Sequence, residues 1–270
     1  MSEATNAPRA GHREGPATAA ATGQVVLGVD IGGSSVKAAR VEVGSGRIVG
    51  ERLVLPTPSP ATPAALGATV GAVVTHFAWS GPIGCTFPGV VRQDRTLTAT
   101  HLDAGWIGLD AADHLRRITG SPVSLTNDAD AAGLAEATFG AAAGHPGTVL
   151  VLTFGTGIGS ALLSEGRLVP NTEFGLLPMR GRPAEERAAA RVRSERGLSW
   201  RRYAALVNDY LAVLETVLWP DRIVIGGGVS ADAAAWLHLL TARAEIVPAL
   251  LANDAGLIGA ACWAADRQAR

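Results

Sequence analysis

The chain has 270 residues, enough for one or two domains with a large buried core. Its 23 basic and 24 acidic residues leave a formal net charge of −1, which argues against a nucleic-acid binder that depends on bulk charge. Apolar residues make up 47% of the sequence, yet no apolar run reaches the roughly 18 residues that a membrane span needs. The two cysteines, Cys85 and Cys262, exclude a disulfide scaffold and a four-cysteine zinc site.

Residues 1–23 are mainly Ala, Gly, Pro and polar residues without periodicity, so we expect a disordered tail. The tail lacks the apolar segment of a signal peptide, and we therefore expect a cytoplasmic protein. Apolar runs between glycine and proline turns predict the elements that follow. Strands are predicted at Val25–Asp30, Val36–Val43, Ile48–Leu55, Ile83–Phe87 and Val123–Leu125, and helices around Leu66–Phe77, at Ala111–Ile118 and at Ala129–Phe139.

The same order of elements begins again at Thr148. Strands are predicted at Thr148–Phe154, Ser160–Ser164, Leu168–Val169 and Arg222–Ile225, and helices at 184–196, 199–218, Ala231–Leu240 and Ala255–Arg267. The strand, glycine turn and strand of Val25–Val43 thus recur at Thr148–Ser164. Two halves that each open with a glycine hairpin predict a duplicated α/β fold with a cleft between the halves.

The two glycine turns are candidates for phosphate binding. Asp30-Ile-Gly-Gly-Ser-Ser in the first half matches Thr153-Phe-Gly-Thr-Gly-Ile in the second. Backbone N–H groups in such turns can converge on an anion, because no Cβ blocks the approach. Two turns that face each other could hold a chain of phosphates, whereas the alternative is a pair of plain hairpins. The sequence has no GxxxxGK[ST] motif, and its GxGxG segment leads into a strand, so a P-loop and a dinucleotide fingerprint are excluded.

Two acidic positions lie beside these turns. Asp30 would repel a phosphate unless a cation intervenes, so we expect it to hold Mg²⁺; the alternative is a carboxylate that only stabilises the turn. Lys37, seven residues later, is expected at the surface rather than at the phosphates. Asn127-Asp128 follows a short strand and precedes a helix. Asp128 can take a proton from an acceptor hydroxyl there, or the pair can simply cap the helix.

Six segments together resemble the ROK sugar kinases, and among them the polyphosphate glucokinases of actinobacteria. They are Asp30-Ile-Gly-Gly-Ser, Thr86-Phe-Pro-Gly-Val, Asn127-Asp-Ala-Asp-Ala-Ala-Gly-Leu-Ala-Glu, Leu152-Thr-Phe-Gly-Thr-Gly-Ile-Gly-Ser-Ala, Asn171-Thr-Glu and Ile225-Gly-Gly-Gly-Val-Ser. The resemblance implies a two-domain actin/hexokinase-like fold whose last helix packs back on the first domain. We accordingly expect domains at 24–126 plus 254–270 and at 127–253, a homodimer, Mg²⁺, a sugar-like acceptor, and polyphosphate or ATP as donor.

The resemblance also implies roles for individual residues. Asp128 matches the catalytic base, and Asp30 is the candidate metal ligand. The donor-binding positions are Asp30, Gly32, Gly33, Ser34, Gly155, Thr156, Gly157, Gly159, Gly226, Gly227 and Gly228. The acceptor-binding positions are Gly89, His101, Asp103, Asn127, Asp128, Glu173 and Leu176.

Three of the sugar-side positions depart from the family pattern. Leu176 stands where the family has His, Pro178 where the glucokinases have an acidic residue, and His101 where Asn is expected. A leucine side chain can neither donate nor accept a hydrogen bond. The acceptor is then a modified sugar, an amino sugar, a cyclitol or a glycosylated metabolite, or glucose is still phosphorylated weakly; neutral change without a new substrate is the third alternative.

Residues 180–202 hold eight Arg and three Glu. This stretch can follow a polyanion such as polyphosphate, or it can be a solvated helix face with local Glu–Arg pairs. A function of a different class also stays open, namely a non-catalytic sugar- or phosphate-binding protein on a kinase scaffold. The altered sugar positions favour that class, whereas Asp128, Asp30 and the glycine turns favour an enzyme.

Overall fold

The computed structural model describes residues 23–100 and 102–269. The tail expected at 1–23 lies almost wholly outside these ranges, and so does His101. Within them, no helix is long and apolar enough to cross a bilayer.

Two five-stranded sheets form the framework. The strands of the first sheet are β1 (Val25–Ile31), β2 (Ser35–Glu42), β3 (Arg47–Pro56), β4 (Ile83–Phe87) and β5 (Val123–Asn127). Those of the second sheet are β6 (Thr148–Phe154), β7 (Ile158–Ser164), β8 (Arg167–Val169), β9 (Arg222–Gly227) and β10 (Glu245–Pro248). Two-residue ribbons pair Val91–Arg92 with Arg95–Thr96, and Pro178–Met179 with Arg182–Pro183.

The two sheets have the same topology. The first has the order β3-β2-β1-β4-β5 and the second the order β8-β7-β6-β9-β10. In each sheet the three strands that open the half pair antiparallel, and the two later strands join in parallel. The duplicated α/β fold predicted from the repeated glycine hairpin is therefore confirmed.

Eight α-helices cover these sheets in the described ranges. They are α1 (Pro63–His76), α2 (Ala111–Thr119), α3 (Asp128–Phe139), α4 (Glu185–Ala188), α5 (Ala190–Glu195), α6 (Trp200–Leu218), α7 (Ala233–Trp236) and α8 (Ala255–Ala269). The apolar faces of α1 and α2 bury one core with the first sheet, and α6 buries another with the second. Leu66, Val70 and Val73 share the buried face of α1, as their spacing predicts.

Helices α3 and α8 lie between the two sheets. α8 packs on β1, β4 and α3, and α3 in turn packs on β6 and β7. A Cβ on Gly28 or Gly84 would overlap the backbone of α8, and one on Gly259 would overlap the backbone of α3. Glycine at these positions thus lets α8 return to the first sheet at backbone contact distance.

Two element predictions are wrong in detail, and one strand lacks a prediction. The helix expected at 184–196 is divided into α4 and α5, because Ala189 has an extended backbone (φ −63°, ψ 157°). The helix expected at Ala231–Leu240 consists mostly of 3-10 turns, and only α7 is α-helical. The edge strand β10 was not predicted: it has four residues, is partly exposed and ends in Pro248, so it carries little apolar pattern.

Candidate functional site

A cleft of about 520 Å³ separates the two glycine turns. It brings together most of the positions that the sequence marked. The lining comprises Gly32, Gly33, Ser34, Gly89, Asn127, Asp128, Gly155, Thr156, Gly157, Gly159, Glu173, Leu176 and Gly227 among the predicted residues, and Pro88, Thr100, Ala129, Thr153, Ile158, Ser160, Thr172 and Glu185 besides. The turns of both halves therefore face the same cleft.

The N-terminus of α3 places Asp128 in this cleft. The preceding residue, Asn127, caps the helix: its Oδ1 accepts the Asp130 N–H at 3.0 Å, and its Nδ2 donates to the Gly89 carbonyl at 3.1 Å. Asn127 is buried, with 5% of its surface exposed. Asn127 thus caps the helix, and the Asp128 carboxylate accepts a hydrogen bond from the Ala129 N–H at 2.8 Å.

Asp128 has the electrostatics of a proton acceptor that works near neutral pH. Burial raises the pKa of its carboxyl to about 7, and the negative charges of Asp30 and Glu173 add to the rise. The Ala129 N–H bond opposes these effects without cancelling them. A base is most effective when its pKa lies near the working pH.

Asp30 lies at the end of β1 in a smaller cavity of about 160 Å³, which also contacts Asp128, Gly226 and Gly227. The Thr86 hydroxyl donates to Asp30 Oδ1 at 2.8 Å. Lys37 Nζ stands 3.5 Å from Asp30 Oδ2 and lines the same cavity. The β1–β2 register sets Lys37 directly opposite Asp30, with its side chain 35% exposed. Lys37 does not line the cleft between the glycine turns, and its place at the surface rather than at the phosphates stays a prediction.

The residues at Asp30 suit a magnesium ion that is held mainly by water and phosphate. Asp30 supplies one carboxylate, and its side chain is 19% exposed. Asp128 lies close enough that the negative charge of Asp30 contributes to the raised pKa of Asp128. No group of three or more His, Cys, Asp or Glu residues that could hold a metal ion occurs in the described ranges. Mg²⁺ is commonly bound by one or two carboxylates together with substrate phosphates and water, so this donor set fits it.

The second glycine turn is partly engaged by the protein itself. Glu185, on α4, accepts the Ile158 N–H at 3.2 Å, and a Cβ on Gly157 would overlap its carboxylate. The Arg191 N–H donates to the Gly155 carbonyl at 3.2 Å. Sequence reasoning missed Glu185 because the Ala/Glu/Arg run around it looks like an ordinary helix. Only its approach to the glycine turn marks it.

Glu173 faces the cleft from the second half. Its loop is fixed by Ser160, whose hydroxyl donates to the Thr172 carbonyl at 2.7 Å and accepts the Phe174 N–H at 3.0 Å. Burial raises the pKa of the Glu173 carboxyl, and the charge of Glu185 contributes. Among the described residues, no hydrogen bond engages this carboxylate, so it is available to an acceptor.

The remaining predicted acceptor positions differ in their surroundings. Leu176 lines the cleft with 54% of its surface exposed, so an apolar side chain faces the solvent there. Asp103 lies outside the lining, and its carboxylate caps a turn by accepting the Gly105 N–H at 2.8 Å. Pro178 is exposed and also lies outside the lining, in a two-residue ribbon.

The glycines at the end of β9 divide between the two cavities. Gly227 contacts both, Gly226 contacts the smaller one, and Gly228 contacts neither. Gly227 has φ +79°, and a Cβ there would overlap the Phe154 backbone, so only glycine fits this junction.

Residues 26–176 match the model of the ROK family. The chain belongs to the ROK family. It is 46% identical over 236 residues to a polyphosphate glucokinase from Mycobacterium tuberculosis, and the match covers 87% of this chain and 89% of that protein.

Two solved structures extend the comparison to the fold. An inorganic polyphosphate/ATP-glucomannokinase from Arthrobacter sp. strain KM superposes with a TM-score of 0.87 at 42% identity, over 90% of this chain and 99% of that one. A ROK family glucokinase from Streptomyces griseus, in complex with glucose and AMPPNP, superposes with a TM-score of 0.77 at 25% identity, over 91% and 100%. The chain therefore has the two-domain actin/hexokinase-like fold of these kinases.

Proposed function

We propose that the protein transfers a phosphoryl group from polyphosphate or ATP to a hydroxyl of glucose or of a glucose-like sugar. One observation carries the proposal: Asp128, with a pKa raised to about 7, lies in a single cleft between two glycine turns of matching topology. The relatives support the same reaction class, since they are a polyphosphate glucokinase, a polyphosphate/ATP-glucomannokinase and a glucokinase.

The acceptor binds at the end of the cleft formed by Gly89, Asn127 and Glu173. Its reacting hydroxyl lies against Asp128, which takes the proton as the new oxygen–phosphorus bond forms. The N–H groups of the two glycine turns hold the donor phosphates and stabilise the charge on the transferred group. Closure of the halves around both substrates excludes water, so that the donor is not lost to hydrolysis.

A magnesium ion belongs to this proposal. Asp30 would hold it, directly or through water, with Lys37 as the neighbouring charge. When bound, the ion neutralises negative charge on the donor phosphates. Asp30, Lys37 and Thr86 fix the geometry on the protein side, because the carboxylate is held between the hydroxyl and the ammonium group.

The arginine-rich stretch supports polyphosphate as a donor. Of its eight arginines, Arg180 pairs with Asp209, and Arg193 stacks on the Trp200 ring at 3.6 Å. None of the eight forms an ion pair with Glu185, Glu186 or Glu195 in the part of the chain that the structure describes. The local Glu–Arg pairs of a plain solvated face are thus missing, and unpaired guanidinium groups are left for a polyanion.

The acceptor is the open part of the proposal. The exposed Leu176 in the cleft favours a sugar that presents no hydrogen-bonding group at this point, such as a modified sugar, amino sugar, cyclitol or glycosylated metabolite. Weak phosphorylation of glucose is the other outcome. The homodimer, the cytoplasmic location and the domain boundaries expected from the sequence remain predictions.

An acceptor and donor matrix tests the proposal. Purified protein is incubated with Mg²⁺ and with one donor, either ATP or polyphosphate. Each reaction also contains one acceptor: glucose, an amino sugar, a cyclitol or a glycosylated metabolite. Phosphorylated products are detected by mass spectrometry. We expect one phosphorylated product at least. Measurable sugar or phosphate binding without turnover of any acceptor would instead support a non-catalytic binding protein.

A further inference from the structure

One side chain joins the two halves of the chain at the acceptor end of the cleft. Asn171, in the second half, donates from Nδ2 to the Val91 carbonyl at 2.9 Å, and its Oδ1 accepts the Val91 N–H at 2.9 Å. The amide therefore pairs with both backbone groups of a residue 80 positions away in the first half. Since Val91 offers one donor and one acceptor, only this orientation of the amide satisfies both bonds.

The backbone of Asn171 is fixed from a third direction. Its N–H donates to Asp130 Oδ2 at 2.7 Å, and Asp130 is 1% exposed on α3, two residues after Asp128. Asn171 has φ +61°, a conformation that asparagine and glycine adopt at lower cost than other residues. A left-handed backbone and a side chain that mimics a strand partner together favour asparagine here.

The residues on either side of this connection belong to the acceptor pocket. Asn171 lies two residues before Glu173, and Val91 lies two residues after Gly89. Gly89 is itself bonded to Asn127, the residue before Asp128. Asn171 is thus a junction between the loop that carries Glu173 and the segment that carries Gly89.

We propose that Asn171 is a positioning residue for the acceptor. By tying the Glu173 loop to the Gly89 segment, it holds the acceptor hydroxyl against Asp128 and keeps water out of that end of the cleft. The inference rests on the proposed function. It concerns a residue that lies outside the cleft lining and acts through Glu173 and Gly89.

Asn171→Gly is the variant of choice, because glycine keeps the positive φ and removes only the amide. Asn208→Ala is the matched control. The side-chain amide of Asn208, on α6, also makes two hydrogen bonds to backbone groups. Its Nδ2 donates to the Leu239 carbonyl at 3.1 Å, and its Oδ1 accepts the Thr241 N–H at 2.8 Å. It lies outside both cavities. Asn171→Asp is the conservative variant, which keeps the acceptor for the Val91 N–H and loses the donor.

The experiment measures KM for acceptor and donor, the ratio of free phosphate to sugar phosphate, and hydrogen exchange in a peptide containing Val91. For Asn171→Gly we expect the acceptor KM to rise roughly five- to 30-fold, as the loss of one or two hydrogen bonds predicts. The donor KM should change less than about twofold, hydrolysis should increase relative to transfer, and Val91 should exchange faster. Asn171→Asp should raise the acceptor KM at least as far as Asn171→Gly, because its carboxylate would repel the Val91 carbonyl and lie near Asp130, and Asn208→Ala should show none of these shifts.

Two results would overturn the inference alone, with the wild type still an active kinase. The first is that Val91 exchanges at the wild-type rate in Asn171→Gly. The second is that Val91 exchanges faster in Asn171→Gly, while the acceptor KM and the ratio of free phosphate to sugar phosphate stay as in Asn208→Ala. A wild type that phosphorylates no acceptor overturns the proposed function, and the positioning role falls with it.

Discussion

The two ends of the cleft, which we propose for the donor and the acceptor, are built from different kinds of chemical group. The end that we propose for the donor is lined by two glycine turns, which join antiparallel strands at matching places in the two sheets. The end that we propose for the acceptor is lined mainly by side chains, chiefly those of Glu173, Leu176 and Asn127, and Asn127 donates to the Gly89 carbonyl. Backbone groups can be altered only by adding a Cβ, whereas one side-chain replacement changes what the acceptor end recognises. A kinase of this design can keep its donor chemistry while its acceptor changes.

Asp128 stands between the two ends, and its loss should affect transfer from either donor to any acceptor. We expect Asp128→Asn to lower kcat by at least about 10²-fold, because the amide cannot take the hydroxyl proton. Steady-state kinetics with each donor measure this. Asp113→Asn is the control, since that carboxylate pairs with Arg116 and Arg117 on the surface of α2. Near-normal turnover of Asp128→Asn would remove Asp128 from the role of base.

Gly157→Val should separate the donor end from the acceptor end. The added side chain would overlap the Glu185 carboxylate and displace the turn that we assign to the phosphates. We expect kcat/KM for the donor to fall by about tenfold or more, with acceptor affinity changed much less. The measurement is donor-dependent kinetics together with calorimetric binding of the acceptor. Loss of acceptor affinity with normal donor use would refute the phosphate assignment of this turn.

Leu176→His changes the acceptor end alone. If the pocket otherwise still fits glucose, the new imidazole can bond a sugar hydroxyl, and kcat/KM for glucose should rise by roughly three- to tenfold. The donor KM should stay as in wild type. Val217→His is the control, because Val217 is an exposed apolar residue on α6 outside the cleft. No gain with glucose would mean that the pocket differs from a glucose pocket at more positions than this one.

The smallest expected effect concerns stability. Folding raises the Asp128 pKa from 3.8 to about 7, so the ionised carboxylate opposes folding, and stability falls as the pH rises through that interval. We therefore expect Asp128→Asn to unfold several degrees higher than wild type at pH 8, with the gain shrinking toward pH 4. Thermal unfolding followed by circular dichroism measures it. A Tm at pH 8 that is equal to or below that of wild type would contradict the raised pKa.

The sequence predicted the architecture because the repeat is local and periodic. The strand–glycine turn–strand units at β1–β2 and β6–β7 are visible in one stretch of chain each, and so is the strand end before Asp128. The sequence alone does not show which of Asn127 and Asp128 caps the helix, because both residue types are good helix caps. The hydrogen bonds of the structure identify Asn127 as the cap and leave Asp128 facing the cleft.

What the sequence missed depends on contacts between distant segments. The contact between Lys37 and Asp30 depends on the β1–β2 register, which pairs the two residues across neighbouring strands. The run from Glu185 to Glu195 consists of good helix formers, yet the chain is extended at Ala189, next to contacts that Glu185 and Arg191 make with the second glycine turn. Tertiary contacts of this kind override local propensity and leave no periodic pattern in the sequence.

The most direct test of the account is a mass measurement of the products. Wild type and Asp128→Asn are incubated with Mg²⁺, with polyphosphate or ATP, and with glucose and the related acceptors in separate reactions. The account predicts a sugar phosphate from the wild type with at least one donor–acceptor pair, and at least about 10²-fold less of it from Asp128→Asn. Ligand binding without any phosphorylated product, or equal product from both proteins, would contradict it.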